Sequence, residues 1–277
     1  MRGVLYIDGV DVYTEYGISV SDVAYDDLVC FPSLKDIPFN DWHEQNGIDP
    51  DLSAPVVNAR DISIPFYVSG AHGGYSAFIA ALTDGSYHSF NFAAIGLTRS
   101  LRLKSCGELM SVSGLGSFSL VFSDDDPSVD VYESPSSVIA KYGDFLLDGV
   151  DFAEYGIRFL RGTMDSITQM PDVKGNLKRD ISVVNGLQYD GMNVTYKSRT
   201  ASLRCLMRAG SKEEFWRNWN ALLYDLVKEG GRTLTVAELG KEIPCFYKGC
   251  LVNCFFPDRG KFWFEFTLDL EFYKGVI

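Results

Sequence analysis

The stretch Leu5-Tyr6-Ile7-Asp8-Gly9-Val10-Asp11, followed by Glu15-Tyr16-Gly17-Ile18, decides the fold because the chain contains it twice. The second repeat reads Phe145-Leu146-Leu147-Asp148-Gly149-Val150-Asp151, followed by Glu154-Tyr155-Gly156-Ile157. In each repeat an apolar run ends at an Asp-Gly pair, which favours a tight turn between two strands. The acids beside each glycine are expected to cap backbone amides, because their recurrence suits a structural role better than carboxylate catalysis.

The two repeats stay in register far beyond this opening. From Tyr16 onward matching residues lie 139 positions apart: Asp41 with Asp180, Asn46-Gly47-Ile48 with Asn185-Gly186-Leu187, Arg60 with Arg199, and Ser63 with Ser202. One constant offset across several separate motifs predicts an internal duplication.

The length of 277 residues suits two domains of ordinary size. Residues 127–140 are rich in acids, proline and serine and lack hydrophobic periodicity, which is typical of a linker. We therefore expect a first domain over residues 1–126 and a second over residues 141–277, called the first half and the second half below. No apolar run has the length of a membrane helix.

Cysteine usage and the N-terminus indicate where the protein is made. The six cysteines do not recur at matching positions of the two repeats, as a disulfide framework would. The N-terminal residues lack the apolar core of a signal peptide. We therefore expect reduced thiols in a protein made in a cytoplasm.

Each half is predicted to be mainly β, with one flanking helix. After the opening strands comes a long excursion with Asn-Gly, a strong hairpin signal, at its centre. A long strand follows at Ile62–Val68 and at Ala201–Met207, and then a helix. The closing hairpins are expected over Leu109–Phe122, turning at Gly114-Leu115-Gly116, and over Phe246–Phe272, turning at Pro257-Asp258-Arg259-Gly260.

The helix of the second half is the clearest single element. Ser211 is a good N-cap, and Glu214 completes a capping box. Gly230-Gly231 is expected to end the helix, and its first-half counterpart is expected at Tyr75–Leu82. The apolar stripe at helical spacing comprises Phe215, Trp216, Trp219, Leu222, Leu223, Leu226 and Val227.

Negative charge is concentrated in the first half. Residues 1–126 hold 6 basic and 17 acidic side chains, a formal charge of -11, out of -12 for the whole chain. A protein that grips nucleic acid needs clustered positive charge instead. The acids therefore indicate either a solvated face or a surface that nucleic acid passes without sticking.

The sequence predicts no catalytic, cofactor-binding or metal-binding residues. The three histidines (His43, His72 and His88) have no counterparts in the second half, and a surface or loop position is expected for them. Cys245, Cys250 and Cys254 are too few for a structural zinc site and fall in a predicted strand. No nucleophile elbow, Walker loop or dinucleotide fingerprint is present.

The two Asn-Gly turns are the candidate sites of contact between subunits. Trp42 lies close to Asn46-Gly47, and an exposed tryptophan on a projecting hairpin is typical of a partner contact. A tryptophan packed back on its own domain fits the sequence equally well. The candidate residues are Trp42, Asn46, Gly47, Asn185 and Gly186.

Several of these motifs resemble a known family. The strand ending in Asp-Gly-x-Asp and followed by Glu-Tyr-Gly-Ile resembles the start of phage distal tail and baseplate hub proteins. The stretch Ala59-Arg60-Asp61-Ile62-Ser63-Ile64-Pro65-Phe66 is similar to the strand that enters their core. Trp42-His43-Glu44-Gln45-Asn46-Gly47 resembles tail proteins of phages and prophages of Bacteroidetes.

The resemblance implies two tandem tail-tube-like domains, each a β-sandwich or barrel with one packed helix and a long hairpin. It implies a non-enzymatic ring, trimeric or hexameric, around the DNA channel of a virion tail. The expected partners are other tail and baseplate proteins and passing DNA, with no specific DNA binding and no membrane. Members of the family usually carry one such domain, so the duplication leaves the stoichiometry open.

Two other classes of function fit the sequence less well. The alternative is a tandem β-sandwich module that binds carbohydrate or protein through Trp42 and tyrosine-rich turns. A hydrolase is the weakest candidate, because no catalytic constellation is evident.

Overall fold

A computed structural model describes residues 2–21, 25–69, 73–112, 115–127, 131–175, 178–189, 191–192, 194–258 and 260–275. Over these residues the protein is mainly β, with helices packed on antiparallel sheets, as the sequence predicts. His72, Gly114 and Arg259 lie outside the described residues. Within the described ranges, no helix is long and apolar enough to cross a bilayer.

The first half contains the first ten strands and three helices of the described chain. Its strands are β1 (Leu5–Ile7), β2 (Val10–Asp11), β3 (Ile18–Val20), β4 (Phe39–Asn40), β5 (Asp49–Pro50), β6 (Arg60–Ser69), β7 (Tyr87–Phe92), β8 (Leu97–Cys106), β9 (Met110–Val112) and β10 (Leu115–Asp124). Its helices are α1 (Val12–Tyr16), α2 (Asp26–Val29) and α3 (Gly73–Leu82).

The second half repeats the pattern with longer closing strands. Its strands are β11 (Phe145–Leu147), β12 (Val150–Asp151), β13 (Ile157–Phe159), β14 (Lys178–Asp180), β15 (Leu187–Tyr189), β16 (Arg199–Ala209), β17 (Arg232–Val236), β18 (Lys241–Asp258) and β19 (Lys261–Phe272). Its helices are α4 (Thr163–Thr168) and α5 (Lys212–Leu226), with 3-10 helices at Phe152–Tyr155 and Ala237–Leu239.

Both large sheets follow the same strand order. The first runs β2-β1-β7-β8-β10-β6-β3, with β9 beside β10, and the second runs β12-β11-β17-β18-β19-β16-β13. In the second sheet, Phe145 of β11 and Phe159 of β13 have ring centroids 4.4 Å apart, although their strands lie near opposite ends of the order. That sheet therefore curls toward a barrel.

The opening turns form as the sequence predicts. Asp8-Gly9 has φ values of 50° and 82°, and Asp148-Gly149 has φ values of 49° and 86°. Positive φ at both central residues matches the twist of a two-residue hairpin. Asp11 then accepts hydrogen bonds from two amides at the start of α1, and Asp151 accepts one from the 3-10 helix that follows it. Both acids are caps.

Helix α5 begins at the predicted cap. The Ser211 hydroxyl accepts a hydrogen bond from the Glu214 amide at 3.1 Å. The Glu214 carboxylate in turn accepts from the amide of Gly210, not of Ser211, at 2.8 Å. The predicted apolar stripe faces the core: five of its members are buried, and Trp216 and Val227 are partly buried against it.

The predicted end of α5 at Gly230-Gly231 is wrong, because the helix ends at Leu226. The guanidinium of Arg232 reaches back to this end of the helix. It donates to the carbonyl oxygens of Asp225, Lys228, Glu229 and Gly230. Asp225 lies in the last turn of the helix, and the other three acceptors lie in the segment that follows it, so Arg232 holds the chain that leaves the helix.

His88 corrects the expectation of surface or loop histidines. Strand β7 alternates between exposed and buried residues, and His88 is buried on the same side as Phe90 and Phe92. Its Nδ1 lies 2.7 Å from the carboxylate of Asp8 in the opening turn. The alternation of polar and apolar residues along β7 is visible in the sequence, but the sequence analysis did not predict this strand. His43 is exposed, as expected.

The linker between the halves is attached to α5. In its described part, residues 127 and 131–140, there is no helix or strand. The side-chain oxygen of buried Asn218 accepts from the Ser136 amide at 2.9 Å, and its nitrogen donates to the Ser136 carbonyl at 3.2 Å. Arg217 donates to the same carbonyl at 2.7 Å.

The two halves share a core at Trp219 of α5. The Trp219 ring stacks on Phe31 of the first half, with centroids 3.6 Å apart. Its indole nitrogen donates to the Val29 carbonyl at 2.8 Å, and Tyr247 donates to the Pro32 carbonyl at 2.9 Å. The segment Tyr25–Phe31 is therefore packed between the sheet of its own half and the helix of the other.

We expect Trp219→Ala to lower the free energy of unfolding by about 3–5 kcal/mol, because it opens a cavity where the halves meet. Urea denaturation followed by circular dichroism measures this. Trp42→Ala is the control: Trp42 is 53% exposed, and the change should stay within about 0.5 kcal/mol. Equal losses in the two variants would contradict a shared core at Trp219.

Candidate assembly surface

The hairpin formed by β4 and β5 in the first half extends to the second half. Its turn, Asp41–Gly47, joins β4 to β5 and is called the first tip. The surface that it contacts consists of Lys174 and Thr195-Tyr196 and is called the second base. The contact joins residues more than 125 positions apart.

Lys174 is the centre of this contact. Its side chain is only 3% exposed, and its ammonium forms an ion pair with the carboxylate of Asp41. It also donates to the carbonyl oxygens of Trp42, at 2.8 Å, and of Gly47. A buried charge without partners is costly, and here one carboxylate and two carbonyls supply all three acceptors that an ammonium needs.

Backbone groups complete the contact. The Gly47 amide donates to the Tyr196 carbonyl at 2.7 Å, and the Tyr196 amide donates to the side-chain oxygen of Asn46 at 2.9 Å. The Thr195 hydroxyl donates to the carbonyl of His43 at 2.7 Å. A Cβ added at Gly47 would lie 1.8 Å from the carbonyl oxygen of Tyr273, so only glycine fits there.

The second half has a tip of the same construction. The segment Asp180–Gly186, called the second tip, consists of the last residue of β14 and the turn that leads to β15. The register of these two hairpins matches at the offset of 139: Phe39 pairs with Pro50, and Lys178 pairs with Tyr189. Gly47 and Gly186 both adopt positive φ, at 70° and 84°.

The first half likewise has a base of the same construction. The first base consists of Lys35 and Val56-Val57. The Lys35 amide donates to the Val56 carbonyl at 2.8 Å, and the Lys174 amide donates to the Thr195 carbonyl at the same distance. Isolated bridges pair Leu34 with Val57 and Val173 with Tyr196. The backbone that presents each lysine is therefore equivalent.

The candidate residues of the sequence analysis fall into two groups. Asn46 and Gly47 hold the first tip on the second base inside the chain, and Gly47 is buried. Trp42 uses its carbonyl in that contact, while its side chain stays half exposed. Asn185 and Gly186 are exposed at the second tip. Contact of these residues with another subunit stays a prediction.

Sequence reasoning did not single out Lys174, Thr195, Tyr196 or Phe31. A signal was present for Lys174, because Lys35 matches it at the offset of 139. Nothing in the sequence, however, indicates which of the two lysines is buried. That depends on which tip is within reach of which base.

Several acids of the first half have local structural partners. A hydrogen bond from Ser123 lowers the pKa of Asp125 to about 2, with help from Tyr87. A hydrogen bond from His88 lowers the pKa of Asp8, and one from Ser86 lowers the pKa of Asp84. These carboxylates close turns and strand ends while keeping their charge. Part of the acidity of this half therefore serves the fold.

The described residues offer no evident catalytic centre. They contain no group of three or more His, Cys, Asp or Glu side chains placed to hold a metal ion. All six cysteines are free thiols, and burial raises the pKa of Cys245 to about 12. An open groove of about 800 Å³ lies between Pro55-Val56-Val57 and the end of α5. Its lining is largely apolar, with Leu223 and Val227 contributed by the helix.

No protein-family model matches the chain, and no curated protein matches it. Among solved structures, it is similar to the Dit protein of phage SPP1. That protein is described as a paradigm of the hub adsorption apparatus in phages that infect Gram-positive bacteria. The similarity covers 97% of each chain, at 11% sequence identity and a TM-score of 0.32.

Lys174→Met should lower the free energy of unfolding by about 3 kcal/mol, because it removes the ammonium that the buried Gly47 carbonyl and the Asp41 carboxylate bind. Lys35→Met is the matched control, since Lys35 is exposed, and should change stability by less than about 0.5 kcal/mol. Chemical denaturation of both variants measures the difference. Similar free energies of unfolding for the two variants would mean that the Lys174 contact does not stabilise the fold.

A second matched pair tests the fit of the first tip. Gly47→Ala and Gly186→Ala both place a Cβ on a backbone of similar positive φ. The resulting strain should lower the free energy of unfolding of each variant by about 1–2 kcal/mol. Only Gly47→Ala also meets the Tyr273 carbonyl; no atom lies within 4 Å at Gly186. It should therefore lose at least about 2 kcal/mol more. Thermal and urea unfolding compare the two, and equal losses would contradict the docking of the first tip.

Proposed function

We propose that this chain is a non-enzymatic structural component of a phage tail or baseplate, and that its copies form a ring around the DNA channel. The observation that carries the proposal is the contact of the first tip with the second base. In a tandem repeat, a hairpin of one unit that docks on the next unit is a head-to-tail contact, and the same contact can be repeated between copies of the chain. Such contacts close into a ring when the rotation per unit divides a full turn.

The shared strand order of the two sheets supports the view that the domain is present twice, over residues 1–126 and 141–277. A chain with two equivalent units needs three copies to surround a channel with pseudo-sixfold symmetry. A trimer is therefore the simplest ring, and a hexamer is the next. The resemblance of the opening motif, the strand from Ala59 and the stretch from Trp42 to phage distal tail and baseplate hub proteins points the same way.

The acidic character of the first half suits a channel that DNA must traverse. Acidic side chains at the lumen would repel the phosphate backbone and prevent specific binding. The protein would be made in the cytoplasm of the bacterial host and end in the virion tail, next to other tail and baseplate proteins. Trp42, half exposed on the first tip, is available to contact one of them.

The exposure of Trp42 also favours one second candidate. A tandem β-sandwich module could bind a carbohydrate or protein through this side chain and remain a monomer. Such a module requires no contact between copies of the chain.

Size-exclusion chromatography with light scattering separates the two functions. A tail ring component should form trimers or hexamers as the concentration rises, and negative-stain microscopy should show rings with a central hole. The same measurement at low and at high salt controls for non-specific association through surface charge, which salt screens. A monomer at every concentration, with Trp42→Ala abolishing binding to a glycan or protein array, would favour the binding module.

A further inference from the structure

The contact between the halves uses one tip and one base and leaves one of each unused. The first tip lies on the second base, while the second tip and the first base are exposed apart from Ile181 and Val57, which are partly buried. Within the part of the chain that the structure describes, the side chains of Lys35, Asp180 and Asn185 form no hydrogen bond or ion pair. Their counterparts Lys174, Asp41 and Asn46 all have partners inside the contact.

We propose that the second tip of one copy docks on the first base of the next copy, with Asp180 against Lys35. This inference rests on the proposed function and names the surface through which the ring is joined. The partner is a second copy of this chain, because the unused surfaces repeat the two sides of a contact that the chain already makes. Gly186 then fills the place of Gly47, and Asn185 that of Asn46.

Charge is complementary across the proposed contact. Asp180 replaces Asp41, and Lys35 replaces Lys174, so the ion pair at the centre is kept with the same polarity. Docking would bury the side chain of Lys35, as the intramolecular contact buries that of Lys174 to 3% exposure. The main-chain carbonyls of the second tip then supply its remaining acceptors.

Apolar groups also match. Thr195 of the second base contacts His43 of the first tip, so Val56 of the first base would face Ser182 of the second. Next to Ser182, Val183 is 89% exposed and Val184 is 49% exposed. Val56, itself 53% exposed, lines the groove of about 800 Å³ beside the first base. Exposed valines on one side and an apolar groove on the other bury each other in the docked pair.

A second pair of counterparts points to the same neighbour. Phe31 of the first half is buried against Trp219, whereas its counterpart Met170 is 66% exposed. The segments that carry them are held alike, since Arg60 donates to α2 carbonyls and Arg199 donates to α4 carbonyls. Met170 would then pack on the next copy as Phe31 packs on the second half.

Exchange of the two charges tests the contact. Lys35→Glu and Asp180→Lys each place like charges opposite each other and should weaken self-association by about tenfold or more. The double variant Lys35→Glu/Asp180→Lys restores an ion pair and should return to within about threefold of the parent affinity. Sedimentation velocity over a wide range of concentration measures the affinity of each variant of the full chain.

Lys178→Glu is the matched control, because it makes the charge change of Lys35→Glu on the exposed hairpin that carries Asp180, two residues before the tip. It should leave the affinity within about threefold of the parent. Thermal unfolding of each monomer should be unchanged, since the side chains of Lys35 and Asp180 are exposed and form no bond to other described residues.

The outcomes separate this inference from the proposed function. If the parent protein assembles and both single variants assemble equally well, the contact is wrong and ring formation stands. If the single variants fail but the double variant also fails, Asp180 and Lys35 are not opposite each other. A parent protein that stays monomeric at every concentration would overturn the contact and the proposed function together.

Discussion

The rest of the structure depends on the burial of the Lys174 ammonium beneath the first tip. An isolated charge in such a place would destabilise the fold, and it is tolerated because Asp41, the Trp42 carbonyl and the Gly47 carbonyl surround it. The requirement is geometric as much as electrostatic. The Asn46-Gly47 turn must bring its carbonyl inward, and Gly47 must lack a Cβ because Tyr273 lies against it.

This constraint fixes how the two halves sit together. The first tip holds one end of the interface, and the stacked rings of Phe31 and Trp219 hold another. Between them, Trp216 donates to the Ile95 carbonyl at 2.7 Å. In each of these contacts a long side chain of the second half satisfies a main-chain oxygen of the first. Hydrogen bonds also run the other way, because the Gly47 and Ile48 amides donate to the Tyr196 and Tyr273 carbonyls, so each half supplies both donors and acceptors.

Local signals made much of the fold predictable. The Asp-Gly turns, the Asn-Gly hairpins, β6, β16, β19 and the capped start of α5 are each encoded by neighbouring residues. Strands β7 and β17 were missed because they are short and their inward residues include His88 and Arg232, which partner turn acids rather than fill the core. The end of α5 was misplaced because the chain leaves the helix before Gly230-Gly231, and Arg232 binds the carbonyls of residues 228–230 in the segment between.

The candidate site was predictable only in part. The Asn-Gly turns were identified as contact points, but the sequence does not indicate that one of them docks within the chain and the other stays exposed. That difference is a matter of long-range placement: the fold brings the first tip onto the second base and leaves the second tip away from the first base. Long-range placement of this kind has no signature in local sequence pattern.

Hydrogen exchange at the two tip glycines tests most directly whether one docking geometry is used twice. In the monomer, the Gly47 amide, bonded to the Tyr196 carbonyl, should exchange slowly and the Gly186 amide should exchange fast. In the assembled protein, Gly186 should become protected to a degree similar to Gly47. A Gly186 amide that exchanges equally fast before and after assembly would contradict the account.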